Sequence, residues 1–213
     1  YKRQPEYNGA QDYDYIFRCT EMAGKIVHIP RVLYHWRVHS ASTADNPASK
    51  LYAYEAGKKA IEGNLARCGE EGTVTLRSDY GFYDVDYKLR GTPLVSILIP
   101  NKDQADTLRT CLESIKKKCM YPSYEILIIE NNSTEEATFS YYKELEAQGI
   151  RVLKYPKQGF NYSAINNFGV KEAKGEYLLF LNNDMEIITP DFMEKMVSNL
   201  QRPQIGAVGA KLY

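Results

Sequence analysis

The sequence predicts an α/β protein, with a mostly parallel sheet flanked by helices and a smaller α+β segment at the N-terminal side. Three observations carry this. After Pro93, short apolar runs alternate with helical patterns: LVSILIP (94–100), YEILIIE (124–130), IRVLKYP (150–156) and YLLFL (177–181). Alternating β and α at this spacing builds a parallel, right-handed, doubly wound sheet. The runs are apolar throughout rather than at every second position, which fits strands covered on both faces. Finally, three of them end in polar clusters: Asn101 with Asp103, Glu130 to Ser133, and Asn182 to Asp184. In open α/β sheets the ligand crevice lies beyond the carboxyl ends of the strands.

The chain has 213 residues, long enough for a substantial core. Its 27 basic and 27 acidic residues balance, so no nucleic-acid-binding field and no polybasic membrane anchor is expected. Cys19, Cys68, Cys111 and Cys119 show no C-x-x-C spacing, and three fall on expected helix faces. They read as reduced core thiols of a cytoplasmic protein. No apolar run approaches the roughly 18 residues of a membrane span, so any membrane contact is expected to be peripheral. With Tyr1 in place of an initiator methionine, the chain reads as a piece of a longer protein.

Taken in order, Gln11 to Ala23 reads as a helix with Ile16, Phe17 and Met22 as apolar positions and Gly24 as its stop. Asp12 and Asp14 in its first turn suit the helix dipole. KIVHIPRVLYHWRVHSAST (25–43) is β-rich, and Pro30 makes it an edge strand or two short ones. His28, His35 and His39 within it match no zinc spacing. From Pro47 to Cys68 the positions Leu51, Tyr54, Ile61, Leu65 and Cys68 recur helically. The next stretch suggests a hairpin around Tyr80-Gly81, and Gly91-Thr92-Pro93 reads as a linker. That places the domain boundary between 1–90 and 91–213.

Beyond the linker, Leu108, Cys111, Leu112, Ile115 and Cys119 define a helix face between the first two strands. ENNSTEE opens a second helix that closes at Gly149. An amphipathic helix follows the third run and stops at Gly175. Thr189-Pro190 suits the start of another helix, and IGAVGAKLY (205–213) reads as one more strand.

The polar clusters carry the chemistry. Asn182 and Asp184, two apart, can offer oxygens to a hard cation such as Mg²⁺ or Mn²⁺. Asn and Asp also favour plain turns, and on the triplet alone the turn is the stronger reading. Three clusters on one sheet edge, however, describe a polar crevice. PNKDQAD after the first strand has no glycine, and no G-x-x-x-x-G-K-[ST] occurs, so neither glycine-loop phosphate cradle is present. A cation on Asp184 remains the means of neutralising a diphosphate.

Together, VSILIPNKD, EILIIENNST, GFNYSAINNFGVKEAKGEYLLFLNND and TPDFMEKMV resemble the nucleotide-binding half of a family 2 glycosyltransferase with the GT-A fold. GAQDYDYIFR and HIPRVLYHWRVHSAST resemble the tail of another such domain. The whole is similar to bacterial tandem glycosyltransferases, with 1–90 ending one domain and 91–213 beginning the next. The resemblance implies nucleobase and ribose contacts at Pro100, Asn101, Asp103, Glu130 and Asn131, with Asn131 where many members carry aspartate. It implies a diphosphate-side role for Asn166, beside Ile165 where arginine is frequent. Asn182, Asn183 and Asp184 take the Asp-x-Asp position, with Asp184 as ligand for Mn²⁺ or Mg²⁺. Asp12 resembles the catalytic base and His39 the metal-side histidine, both of the preceding domain.

The activity so implied is transfer of a sugar from a nucleoside-diphosphate sugar, UDP-sugar foremost, to a saccharide acceptor in bacterial surface polysaccharide synthesis. Two alternatives stand beside it. A nucleotidyltransferase shares this kind of sheet but wants a glycine-rich, basic loop that PNKDQAD lacks. A non-catalytic nucleotide-sugar-binding fragment would bind without transfer.

Overall fold

The structure, a computed structural model, describes residues 4–35 and 50–212. The chain divides into two compact units, Tyr1–Lys88 and Leu89–Tyr213.

The second unit is built on four parallel strands: β3 (Val95–Asn101), β4 (Tyr124–Glu130), β5 (Arg151–Lys154) and β6 (Tyr177–Phe180), in the order β5-β4-β3-β6. The helices α3 (Ala105–Lys118), α4 (Glu136–Ala147), α5 (Tyr162–Glu172) and α6 (Phe192–Leu200) connect and cover them. Period-two alternation sorts the central strands onto two cores. Val95, Ile97, Ile99, Ile126 and Ile128 pack with Leu108, Leu112 and Ile115 of α3, Leu145 of α4 and Val197 of α6. Leu98, Leu127 and Ile129 face the other way, onto Ile165 of α5. Both faces are therefore dry, which explains the unbroken apolar runs.

Two glycines permit the close packing of the α5–β6 crossover. A Cβ on Gly169 would lie 2.4 Å from Ile129 Cδ1, and one on Gly175 would lie 2.5 Å from the Ser96 nitrogen. Gly175 is thus required by its approach to β3; α5 itself already ends at Glu172. Buried Ser96 sits at that approach. Its Oγ donates to Glu125 Oε1 at 2.6 Å and accepts from the Gly175 N–H at 2.8 Å.

Several expectations are corrected in this unit. β6 is an edge strand with β3 as its neighbour, so it is half-buried, and Phe180 is exposed. Residues 205–212 form no strand: none of them pairs with the sheet, and Gly206 and Gly209 disfavour one locally. Helix α6 begins after Asp191, so Pro190 precedes the cap instead of opening the helix.

The first unit contains α1 (Gln11–Met22), α2 (Leu51–Cys68) and the antiparallel hairpin β1 (Gly72–Leu76) with β2 (Tyr83–Tyr87). Ile61, Leu65 and Val74 form its small core, flanked by Phe17, Tyr83 and Val85. Asp14 does more than sit in a helix dipole. It is fully buried, takes the Arg18 Nε at 2.9 Å and has an Arg67 nitrogen at 3.8 Å. A buried carboxylate is tolerated because cations compensate its lost hydration. Arg67 also grips Glu21 at 2.8 Å, tying α1 to α2.

The strand expected from Lys25 is not formed through Tyr34 or His35, where the side chains are exposed and no strand among the described residues supplies a ladder. Residues 36–43 of that expectation lie outside the described residues. Cys19 and Cys68 are exposed, against the core placement expected; Cys111 is buried, and all four are free thiols. Among the described residues no helix is long and apolar enough to cross a membrane.

Candidate functional site

The carboxyl ends of β3 and β4 finish level. Asn101 and Glu130 are register partners at the last rung of their ladder, and the Asn131 N–H extends it by one bond, to the Asn101 carbonyl at 2.9 Å. Asn101, Glu130 and Asn131 are all buried. A buried amide or carboxylate must find partners, and here they come from loops that sequence alone does not join.

Asn101 is met on three sides. Its Nδ2 donates to the Asp103 carbonyl at 3.0 Å and to Tyr142 Oη, on α4, at 2.7 Å. Its Oδ1 accepts from Asn183 Nδ2 at 2.7 Å. That last bond brings the triplet after β6 onto the end of β3. Glu130 closes its own turn by accepting the Ser133 N–H at 2.5 Å. Ser133 Oγ in turn accepts the Asp103 N–H at 3.0 Å and lies 3.3 Å from Tyr142 Oη.

Asp103 is committed elsewhere in the wall. Its Oδ1 accepts the N–H groups of Thr134 and Glu135 at 2.7 and 2.9 Å, at the entry to α4. Those two backbone donors hold its carboxyl below the ordinary carboxylate range. Asp103, Gln104 and Asn132 all take left-handed backbone conformations, with φ of 51°, 58° and 61°. The chain thus turns sharply at both strand ends, as Asn and Asp tolerate better than most residues. Pro100 is half-buried, one rung before Asn101.

On the α5 side, Asn161 caps the helix by accepting the Ala164 N–H at 3.0 Å. Asn166 is buried; its Nδ2 donates to the Tyr162 carbonyl at 2.9 Å, and its Oδ1 is a buried acceptor with no hydrogen-bond partner among the described residues. Tyr162 Oη reaches Asn182 Oδ1 at 3.5 Å. Asn182 and Asp184 are exposed and Asn183 is half-buried. Behind the triplet lies Cys111, whose thiol burial pushes up to about 11.

Of the residues singled out from sequence, Asn101, Asp103, Glu130, Asn131 and Asn183 thus gather in one bonded cluster, with Pro100 and Asp184 adjoining in the chain. Asn182 and Asn166 each reach Tyr162. Asp12 lies in the other unit, exposed on α1, its Oδ1 accepting the Tyr13 N–H at 3.0 Å. His39 lies outside the described residues. Two participants were not foreseen, Tyr142 and Tyr162. Nothing in the sequence spacing of Tyr142 announces a partner 41 residues away.

The exposed donors of the triplet are oxygens, the kind that hard divalent cations take. Among the described residues no three His, Cys, Asp or Glu side chains gather into a metal cage. Mg²⁺-like ions in phosphate sites commonly use one or two carboxylates and take the remaining oxygens from water and phosphate. Asp184 is an exposed carboxylate two residues from Asn182, which is also exposed.

Residues 96–213, more than half of the chain, match the model of Glycosyl transferase family 2. The chain belongs to glycosyl transferase family 2. It is 43% identical over 206 residues to the O-antigen biosynthesis protein RfbC of Myxococcus xanthus, covering 97% of this chain and 16% of that protein. It is 42% identical over 212 residues to the uncharacterized protein y4gI of Sinorhizobium fredii, covering 97% of this chain and 23% of that one. The chain therefore spans less than a quarter of these two curated relatives, and its likeness to both runs through both units. Among solved structures it resembles the mannosyltransferase PcManGT of Pyrobaculum calidifontis, in complex with GDP-Man and Mn²⁺. The TM-score is 0.48 at 17% identity, over 75% of this chain and 44% of that one. It also resembles S. aureus TarS, with a TM-score of 0.44 at 18% identity, over 50% of this chain and 32% of that one. Membership of a family 2 glycosyltransferase lineage sets aside the nucleotidyltransferase alternative.

Proposed function

We propose that the unit Leu89–Tyr213 binds a nucleoside-diphosphate sugar, UDP-sugar by preference, across the ends of β3, β4 and β6. The protein it belongs to then transfers that sugar to a saccharide acceptor in surface polysaccharide synthesis. The observation that carries this is the joining of three separate strand-end clusters through Asn101 in a family 2 chain. The likeness to a protein named for O-antigen biosynthesis supports the polysaccharide product.

In this reading Pro100, Asn101, Glu130 and Asn131 line the nucleobase and ribose side. Asp103 holds that wall to α4, because its carboxylate already serves two backbone donors. Asn166 offers its unpartnered Oδ1 on the diphosphate side. Asp184, with Asn182, would hold Mn²⁺ or Mg²⁺, which supplies positive charge to the departing diphosphate.

The reaction is displacement at the anomeric carbon: an acceptor oxygen forms the new C–O bond as the bond to the diphosphate oxygen breaks. A carboxylate takes the acceptor's proton. We read the unit Tyr1–Lys88 as the end of a preceding domain of the same kind, in which Asp12 would serve as that base and His39 would act on the metal.

Calorimetry of UDP binding with and without Mn²⁺ tests the donor site. Mn²⁺ is expected to tighten UDP binding, and Asp184→Ala to remove that gain. Equal affinity in parent and variant, both enhanced by Mn²⁺, would exclude Asp184 as the ligand.

A further inference from the structure

Resting on the reading of this edge as the donor site, we propose that Tyr142 and Asn183 are positioning residues, which through Asn101 fix the turn carrying Asp184 to the end of β3. Neither acts by touching the nucleotide sugar in this proposal; they set where Asp184 stands.

The Asn101 amide has a single admissible orientation. The Asp103 carbonyl only accepts, so the group of Asn101 facing it at 3.0 Å must be Nδ2. The second hydrogen of that nitrogen is directed to Tyr142 Oη at 2.7 Å. Oδ1 therefore points to Asn183, which must present its own Nδ2 there, at 2.7 Å. Every member has a fixed donor or acceptor sense, and Asn101 is 2% exposed, so water does not substitute freely.

Tyr142 touches two of the three clusters directly and the third only by way of Asn101. It accepts from Asn101 of the first and lies 3.3 Å from Ser133 of the second, and Asn101 passes the connection on to Asn183 of the third. Its ring is buried in the α4 face of the core, which anchors the hydroxyl to a rigid element. Asn183 and Asp184 share a turn, so the grip on Asn183 locates the neighbouring carboxylate. An aspartate at 183 would set a carboxylate oxygen against Asn101 Oδ1, and Asn101 cannot rotate without losing the Asp103 carbonyl.

Tyr142→Phe keeps the ring and removes the relay; Asn183→Asp reverses its polarity. Without ligand, amide NMR is expected to show Tyr142→Phe shifting the Asn183 side-chain NH₂ and the Asp184 backbone N–H, with faster solvent exchange. Unchanged signals at both positions overturn the proposal, whatever the ligand does. In UDP titrations both variants should lose about tenfold of the affinity gained with Mn²⁺, the scale of one buried hydrogen bond, while for Tyr142→Phe, which adds no charge, metal-free UDP affinity stays within about twofold. Equal losses with and without Mn²⁺ would indicate simple structural damage and overturn the positioning role. A parent chain that gains nothing from Mn²⁺ would defeat the donor-site reading instead, and the NMR comparison then decides the clasp alone.

Discussion

Asn101 and Glu130 face each other across the final rung of the β3–β4 ladder, 2% and 4% exposed, yet they bond outward in different directions. Asn101 reaches to α4 and to the turn after β6, and Glu130 folds back on its own loop. Neighbouring positions thus perform separate tasks, one joining elements and the other shaping the loop beside them. Glu130→Ala should leave the Ser133 N–H unpaired and loosen the loop that carries Asn131. A stability loss of about 1–3 kcal/mol is expected, together with weaker UDP binding at any Mn²⁺ level. Urea unfolding and calorimetry measure the two effects, and an unchanged UDP affinity would place Glu130 outside the nucleotide site.

Asp103 contributes an acid-sensitive joint. Its folded-state pKa is depressed by the Glu135 and Thr134 N–H groups. The stability it adds is therefore complete above the ordinary carboxylate pKa of about 3.9 and is lost as pH falls through the lower folded value. Asp103→Asn should flatten the acid limb of a stability-versus-pH curve below about pH 4 while leaving its slope near neutrality unchanged. Identical acid limbs in parent and variant would contradict this.

Gly175→Ala places a methyl group against the β3 backbone at 2.5 Å, where no flexible side chain can yield. Overpacking of this kind costs about 1–3 kcal/mol, and the urea midpoint should fall accordingly. The same change at exposed Gly206, whose added Cβ meets nothing within 4 Å, is the control and should leave the midpoint nearly unmoved.

The thiols should separate by reactivity. Burial pushes the Cys111 thiol to about 11, so little thiolate forms near neutral pH. Cys19 and Cys68 are exposed. Alkylation near neutral pH followed by peptide mass analysis should label those two first and spare Cys111 until the protein unfolds. Early labelling of Cys111 would show that the segment behind Asn182 opens readily.

The central strands were legible because burial on both faces leaves an unbroken apolar run, and β3 and β4 begin and end within one residue of expectation. Strand order is not written in such a run, so the edge position of β6 and the exposure of Phe180 were not foreseen. Apolar sequence between 25 and 35 and between 205 and 212 resembles strand, but a strand also needs a neighbour, and none among the described residues pairs with either segment. At the candidate site, residue types at strand ends marked Asn101, Glu130 and Asp184. What sequence does not reveal is which polar atoms are already spent: Asp103 on α4, Asn183 on Asn101, and a tyrosine hydroxyl 41 residues from its partner.

Ser96 gives the sheet an index mark. It is a hydroxyl, fully buried between Val95 and Ile97, matched to the Gly175 N–H and to Glu125. Sliding β6 by one residue along β3 would turn its side chains to the opposite faces and strand that hydroxyl against a carbon-lined wall. Sliding by two would restore the faces yet carry Gly175 away from its only admissible berth. The alignment locked at the amino ends of the strands also dictates which residue arrives opposite Asn101 at their carboxyl ends. The meeting of Asn183 with Asn101 is in that sense metered out from the far side of the sheet, by a serine that touches none of the polar crevice.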